Sequence, residues 1–116
     1  MAAQKNLSFF LGEDWQIELT CRDADGGALD LTGAQVKWRL ADPRTLRLDL
    51  VNGDGVVLAD DPTTGVATIV VTAAMQGELP AGLYSHEAQV VLADGTVSDQ
   101  AYGTLYARES LFTRFS

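Results

Sequence analysis

The chain has 116 residues, 47% of them hydrophobic and 21% charged, the balance of one folded domain with a single core. Sixteen acidic residues against eight basic ones leave a formal charge of −8, which repels phosphate backbones and argues against nucleic acid as a partner. One histidine and one cysteine leave little from which to build a catalytic dyad or a metal cluster, so most enzyme classes are disfavoured and no cofactor is expected.

The N-terminal arm, Met1 to Asn6, leads into the apolar cluster Leu7-Ser-Phe-Phe-Leu11. That cluster is too short for the core of a signal peptide, and no window approaches the roughly 18 apolar residues of a membrane span. A product of the cytosol with no membrane partner is therefore expected, and Cys21 by itself can form no internal disulfide.

From Trp15 to Arg22 the apolar Trp15, Ile17, Leu19 and Cys21 alternate with Gln16, Glu18, Thr20 and Arg22, which predicts a half-buried strand. A loop rich in aspartate and glycine follows as far as Gly33. The next strand, Gln35 to Leu40, turns Val36, Trp38 and Leu40 inward and ends at Asp42-Pro43. Leu46 to Leu50 alternates as well, and Asn52-Gly-Asp-Gly55 before Val56-Val-Leu58 predicts a hairpin. Val66 to Thr72 is continuously apolar and β-branched, as a central strand would be. Thr72 to Leu79 reads as a connection with room for one helical turn capped by Thr72.

Tyr84 to Leu92 is predicted as a strand with Tyr84, His86, Ala88, Val90 and Leu92 inward, and Ala93-Asp-Gly-Thr96 as a tight hairpin. The last strand covers Val97 to Ala107, with Ala101, Gly103, Leu105 and Ala107 on one face and Tyr102 and Tyr106 on the other. Seven or eight short antiparallel strands with regular turn signals predict an all-β sandwich, a single domain over residues 1–107 with a short N-terminal arm, followed by a tail over 108–116.

Four residues refine the prediction. Cys21, Trp38 and Tyr84-x-His86 stand in the order and at the approximate spacing of the cysteine, tryptophan and Tyr-x-Cys of immunoglobulin domains, with His86 in place of the second cysteine. Cys21 and His86 are expected to face each other across the sandwich. One reading makes Cys21 a thiolate activated by His86; the favoured one makes both of them core residues, with Trp38 and Tyr84.

Two surface features remain. Asp23, Asp25 and Asp30 share a loop and are weak candidates for calcium, since turn-forming aspartates that bond their own backbone are the favoured explanation and no EF-hand glutamate closes the motif. Tyr102 and Tyr106, with Leu111, Phe112 and Phe115 of the tail, are the candidate interface residues, unless the tail folds back to cover the sandwich's own edge.

Phe10-x-Gly-Glu-Asp14, Asp23-x-Asp-Gly26, Leu29-Asp-Leu-Thr-Gly33-Ala, Thr64-Gly65, Leu79-x-Ala-Gly-x-Tyr84 and Asp94-Gly95, in this order, resemble the immunoglobulin-like N-terminal domain of phage baseplate upper proteins and related small modules of tailed-phage virions. The resemblance spans Phe10 to Ala107. It implies a non-enzymatic virion structural protein that docks on tail, baseplate or head-surface proteins, assembles in the host cytoplasm, and is oligomeric within the particle. In that family the domain precedes longer modules, whereas here only Arg108 to Ser116 follow it, so a receptor-binding or enzymatic module is not expected. The alternative is a carbohydrate-binding or adhesin-type module in which Trp15 or Tyr106 stacks on a sugar and the acidic loop holds calcium, although Trp15's inward parity argues against its part.

Overall fold

The alternation of apolar and polar residues becomes a set of strands with one wet and one dry face. The computed structural model describes residues 2–115, so Met1 of the arm and Ser116 of the tail lie outside the described residues. The strands are β1 (Ala3–Gln4), β2 (Leu7–Phe10), β3 (Trp15–Thr20), β4 (Gln35–Ala41), β5 (Leu46–Asn52), β6 (Gly55–Leu58), β7 (Val66–Val71), β8 (Gly82–Val91) and β9 (Val97–Arg108). Two single-turn helices, α1 (Ala73–Gln76) and α2 (Leu111–Arg114), complete the described elements together with a 3-10 turn at Pro62–Thr64.

Hydrogen bonding links the strands in the order β1-β9-β8-β4-β5-β6-β7-β3, with β2 also on β9. The sheet curls so that one core cluster gathers Trp15, Ile17 and Leu19 of β3 and Ile69 and Val71 of β7. To these it adds Trp38 and Leu40 of β4, Val90 of β8 and Leu105 of β9. Burial of these side chains, at roughly 25 cal/mol per Å² of apolar surface, drives the folding. Trp15, Trp38, Val36 and Leu40 are fully inaccessible, as the period of two requires.

Two features of the chain path depart from the predicted all-antiparallel arrangement. The arm pairs parallel with β9, with Ala3 opposite Ala101 and Leu7 opposite Leu105. The predicted hairpin at Asn52 to Gly55 is replaced by a crossing: β5 and β6 pair parallel only at Val51↔Gly55 and Asn52↔Val56, and β6 continues antiparallel to β7. The reason lies in the Asn52 amide. Its Oδ1 accepts from Val36 N at 2.6 Å and its Nδ2 donates to Ala34 O at 2.7 Å, which holds the end of β5 against the start of β4, so that the turn closed by Asp54 N on Val51 O does not lay β6 antiparallel along β5.

The connection from Thr72 does contain the single helical turn, and the Thr72 hydroxyl accepts from Met75 N as its cap. Tyr84 donates its hydroxyl to Pro80 O, closing a corner at the start of β8. A bulge in β9 falls at Gln100, because Ala88 pairs with Ala101 and Gln89 with Asp99. Gln100 and Ala101 are therefore both buried.

Candidate functional site

The four residues of the immunoglobulin-like pattern are buried: Cys21 and Trp38 completely, Tyr84 and His86 nearly so. His86 is paired with Gly103 on β9, and its ring lies 6.0 Å from that of Trp38 between centroids. Trp38 Nε1 can only donate, so His86 Nδ1 accepts at 3.2 Å. The proton therefore sits on Nε2, which donates to the Lys5 carbonyl at 2.7 Å. Burial holds the imidazole below its ordinary pKa, against the pull of the Lys5 carbonyl.

Both ring nitrogens are thus engaged away from Cys21. Burial pushes the Cys21 thiol up to about 11, the opposite of what a nucleophile requires. The favoured reading of two core residues fits this arrangement, with Trp38 and the arm's Lys5 carbonyl, not the thiol or Tyr84, as the partners of the His86 nitrogens. Burial also raises the Tyr84 phenol above its usual value, an effect that Arg47 opposes.

The acidic loop is built from local hydrogen bonds. Asp23 Oδ1 accepts from Asp25 N at 3.0 Å and Gly27 N at 2.9 Å, and Asp30 Oδ1 accepts from Thr32 N at 2.9 Å and Thr32 Oγ1 at 2.6 Å. The Thr32 bonds hold the Asp30 carboxyl below its usual range. Among the described residues no group of three or more His, Cys, Asp or Glu side chains converges as metal ligands do.

The interface candidates fall in two places. Tyr102 and Tyr106 are half exposed on the outer face of β9, and the Arg108 guanidinium lies 5.1 Å from the centroid of the Tyr106 ring. Leu111, Phe112 and Phe115 sit on or directly after α2 and are 67%, 89% and 75% exposed, so the tail does not spend its aromatics on the sandwich's own edge. Phe10, 49% exposed, joins them. Between α2 and the turn after β2 lies an open groove of about 540 Å³, lined by Phe10, Leu11, Leu111 and Phe112. Trp15 is wholly buried and stacked on Phe9 at 5.3 Å, which removes it as a sugar platform.

Sequence reasoning missed two buried glutamines. Gln76 of α1 accepts from Gly12 N at 2.8 Å and donates to Glu13 O at 2.5 Å, and Gln100 accepts from Arg22 N at 2.9 Å and donates to Arg22 O at 3.1 Å. Each amide substitutes for a missing strand at one end of β3. A lone glutamine in an alternating segment carries no mark of this role, and the bulge that turns Gln100 inward is invisible in the sequence.

No family model matches the chain, and no curated protein does. Among solved structures it is similar to a chain of the crystal structure of ICOS in complex with ICOS-L and an anti-ICOS-L VNAR domain. The TM-score is 0.53 at 13% sequence identity, over 92% of this chain and 56% of that one. The chain thus spans little more than half the length of that structural neighbour. The topology and this likeness define an all-β immunoglobulin-like domain.

Proposed function

We propose that the protein is a non-enzymatic structural component of a tailed-phage virion, an immunoglobulin-like module that docks onto other proteins of the particle. The observation that carries the docking is the exposed apolar surface of the tail and its neighbour: Phe10, Leu111 and Phe112 stand in solvent along one groove, and Phe115, exposed as well, follows on the end of α2. The virion is supported by the order of turn and corner motifs from Phe10 to Asp94-Gly95, which resembles small tailed-phage modules. The both-sided engagement of His86 and the raised thiol of Cys21 are consistent with a role without catalysis.

In this reading Leu111, Phe112 and Phe115 supply the buried area, and the net charge of −8 selects partners with basic surfaces. Deleting residues 110–116 is expected to leave the sandwich folded and to abolish incorporation into particles, read by mass spectrometry of purified virions. Normal incorporation of the truncated chain overturns the assignment.

A further inference from the structure

We infer that the outer edge of β3, from Gln16 to Thr20, is a docking site for an extended segment of a partner protein, which adds to the sheet as one more strand. Among the described residues β3 pairs with β7 alone and ends the sheet. The N-terminal segment does not cover this edge, because β1 and β2 both lie on β9.

The direction of each backbone group follows from one bond. Cys21 N donates to Gly65 O, so the odd residues Ile17 and Leu19 aim their N–H and C=O groups at β7. The even residues Gln16, Glu18 and Thr20 aim theirs outward, where no described strand or side chain meets them. All three are exposed, while Trp15, Ile17 and Leu19 are buried and fix the register.

Both ends of the strand are closed. Gln76 holds Gly12 and Glu13 before it, Gln100 holds both backbone groups of Arg22 after it, and Asp14 is tied to Ala73 N at 2.8 Å. What remains is a slot of five residues, roughly 17 Å long. Within Gln16 to Thr20 there is no proline, no lysine and no bulge, and the one charge that guards the edge is Glu18.

The occupant follows from charge. Glu18 stands at the centre of the slot, and Arg22, the nearest cation in sequence, is turned to Gly26 O. A second copy paired antiparallel in the register that uses all three residues would set Glu18 directly against Glu18, which is unfavourable. A partner segment with lysine or arginine opposite Glu18, and apolar residues at the alternate positions facing the core, satisfies both backbone and charge.

The test uses the full chain and a blocked nine-residue peptide in which valine alternates with lysine or threonine, with lysine at its centre and both ends. In the free chain the amides of Gln16, Glu18 and Thr20 should exchange with solvent at least about a hundredfold faster than those of Ile17 and Leu19. The peptide should slow them, whereas a peptide of the same composition in scrambled order should not. Glu18→Pro removes the outward N–H together with the Glu18 carboxylate, a change that edge strands accept, and should abolish peptide binding while the chain stays folded. Should that variant fail to fold, Glu18→Lys keeps the backbone and should weaken binding roughly fivefold while favouring the peptide with glutamate in place of lysine.

Even-residue amides already protected in the free chain, no protection by the peptide, or unchanged binding to whichever variant folds overturns the inference. So does concentration-dependent dimerisation through this edge, which would make a second copy the occupant. The site is independent of α2, so its failure leaves tail-dependent docking untouched, and the reverse also holds.

Discussion

Lys5 and His86 are 81 residues apart in the chain, and the carbonyl of the first accepts from Nε2 of the second at 2.7 Å. The bond passes over Gly103, where an added Cβ would stand 2.0 Å from the Lys5 oxygen. Asn6 secures the same point, its Oδ1 accepting from Thr104 N at 3.2 Å. Gly103→Ala must therefore displace the arm. It is expected to cost about 1–3 kcal/mol in denaturant unfolding, with faster amide exchange at Lys5, which donates to Tyr102 O. Unchanged stability together with retained protection at Lys5 would contradict this account of the arm.

The same histidine predicts a pH dependence with a definite sign. Folding lowers its pKa from the ordinary 6.5, so near neutrality the unfolded state binds the proton more readily than the native one. Its contribution to stability is complete above pH 6.5 and is lost as pH falls from there toward the lower native value. The slope cannot exceed about 1.4 kcal/mol per pH unit for one proton. His86 is the one histidine of the chain, so between pH 5.5 and 7.5 the dependence should vanish in His86→Gln. Denaturant midpoints across about that interval test it; an equally steep profile in the variant refutes it.

The fate of the arm also shows where the sequence stops being readable. β3, β4, β8 and β9 bury one face each, and their alternation alone places Trp15, Trp38, Tyr84 and Leu105 inside. β1 and β2 are held by parallel pairing with a strand about a hundred residues away, for which a four-residue segment such as Leu7–Phe10 carries no local pattern. Asn52 reads as a turn residue and does lie in a turn, but its tertiary use, an amide gripping Ala34 and Val36, is not legible because it depends on β4 being alongside. The exposed aromatics of the tail were legible as surplus hydrophobicity beyond the last strand. The glutamine clips were not, since their partners are backbone groups that become orphans only when β3 becomes an edge.

For Cys21, burial and a thiol pKa pushed up to about 11 predict inertness. At pH 8 ionisation alone lowers the thiolate fraction about a hundredfold relative to an exposed cysteine. Reaction with a disulfide reagent should be at least that much slower in the native chain than in guanidinium chloride. Rapid native modification would instead mean that the β3 end opens frequently.

Gln100 is predicted to be costly to replace by an apolar side chain of similar size. Gln100→Leu leaves both Arg22 N and Arg22 O unpaired, and the loss should be about 1–3 kcal/mol. Exchange at the Arg22 amide should then approach the rates expected for Glu18. A variant as stable as the parent would show that water reaches these groups at no cost.

The tail calls for the opposite result. Phe112 is 89% exposed and Phe115 75%, so neither contributes appreciably to folding in the isolated chain. Phe112→Ser and Phe115→Ser should each change unfolding free energy by no more than about 0.5 kcal/mol. If these rings anchor the module, the same substitutions should lower the amount recovered with purified particles, more strongly for the pair than for either alone. Tyr102→Ser, on the outer face of β9 and away from α2, separates a general loss of surface hydrophobicity from loss of this anchor. Equal losses for Tyr102→Ser and Phe112→Ser would move the interface to the face of β9, whereas full recovery of the double variant would remove the tail from docking altogether.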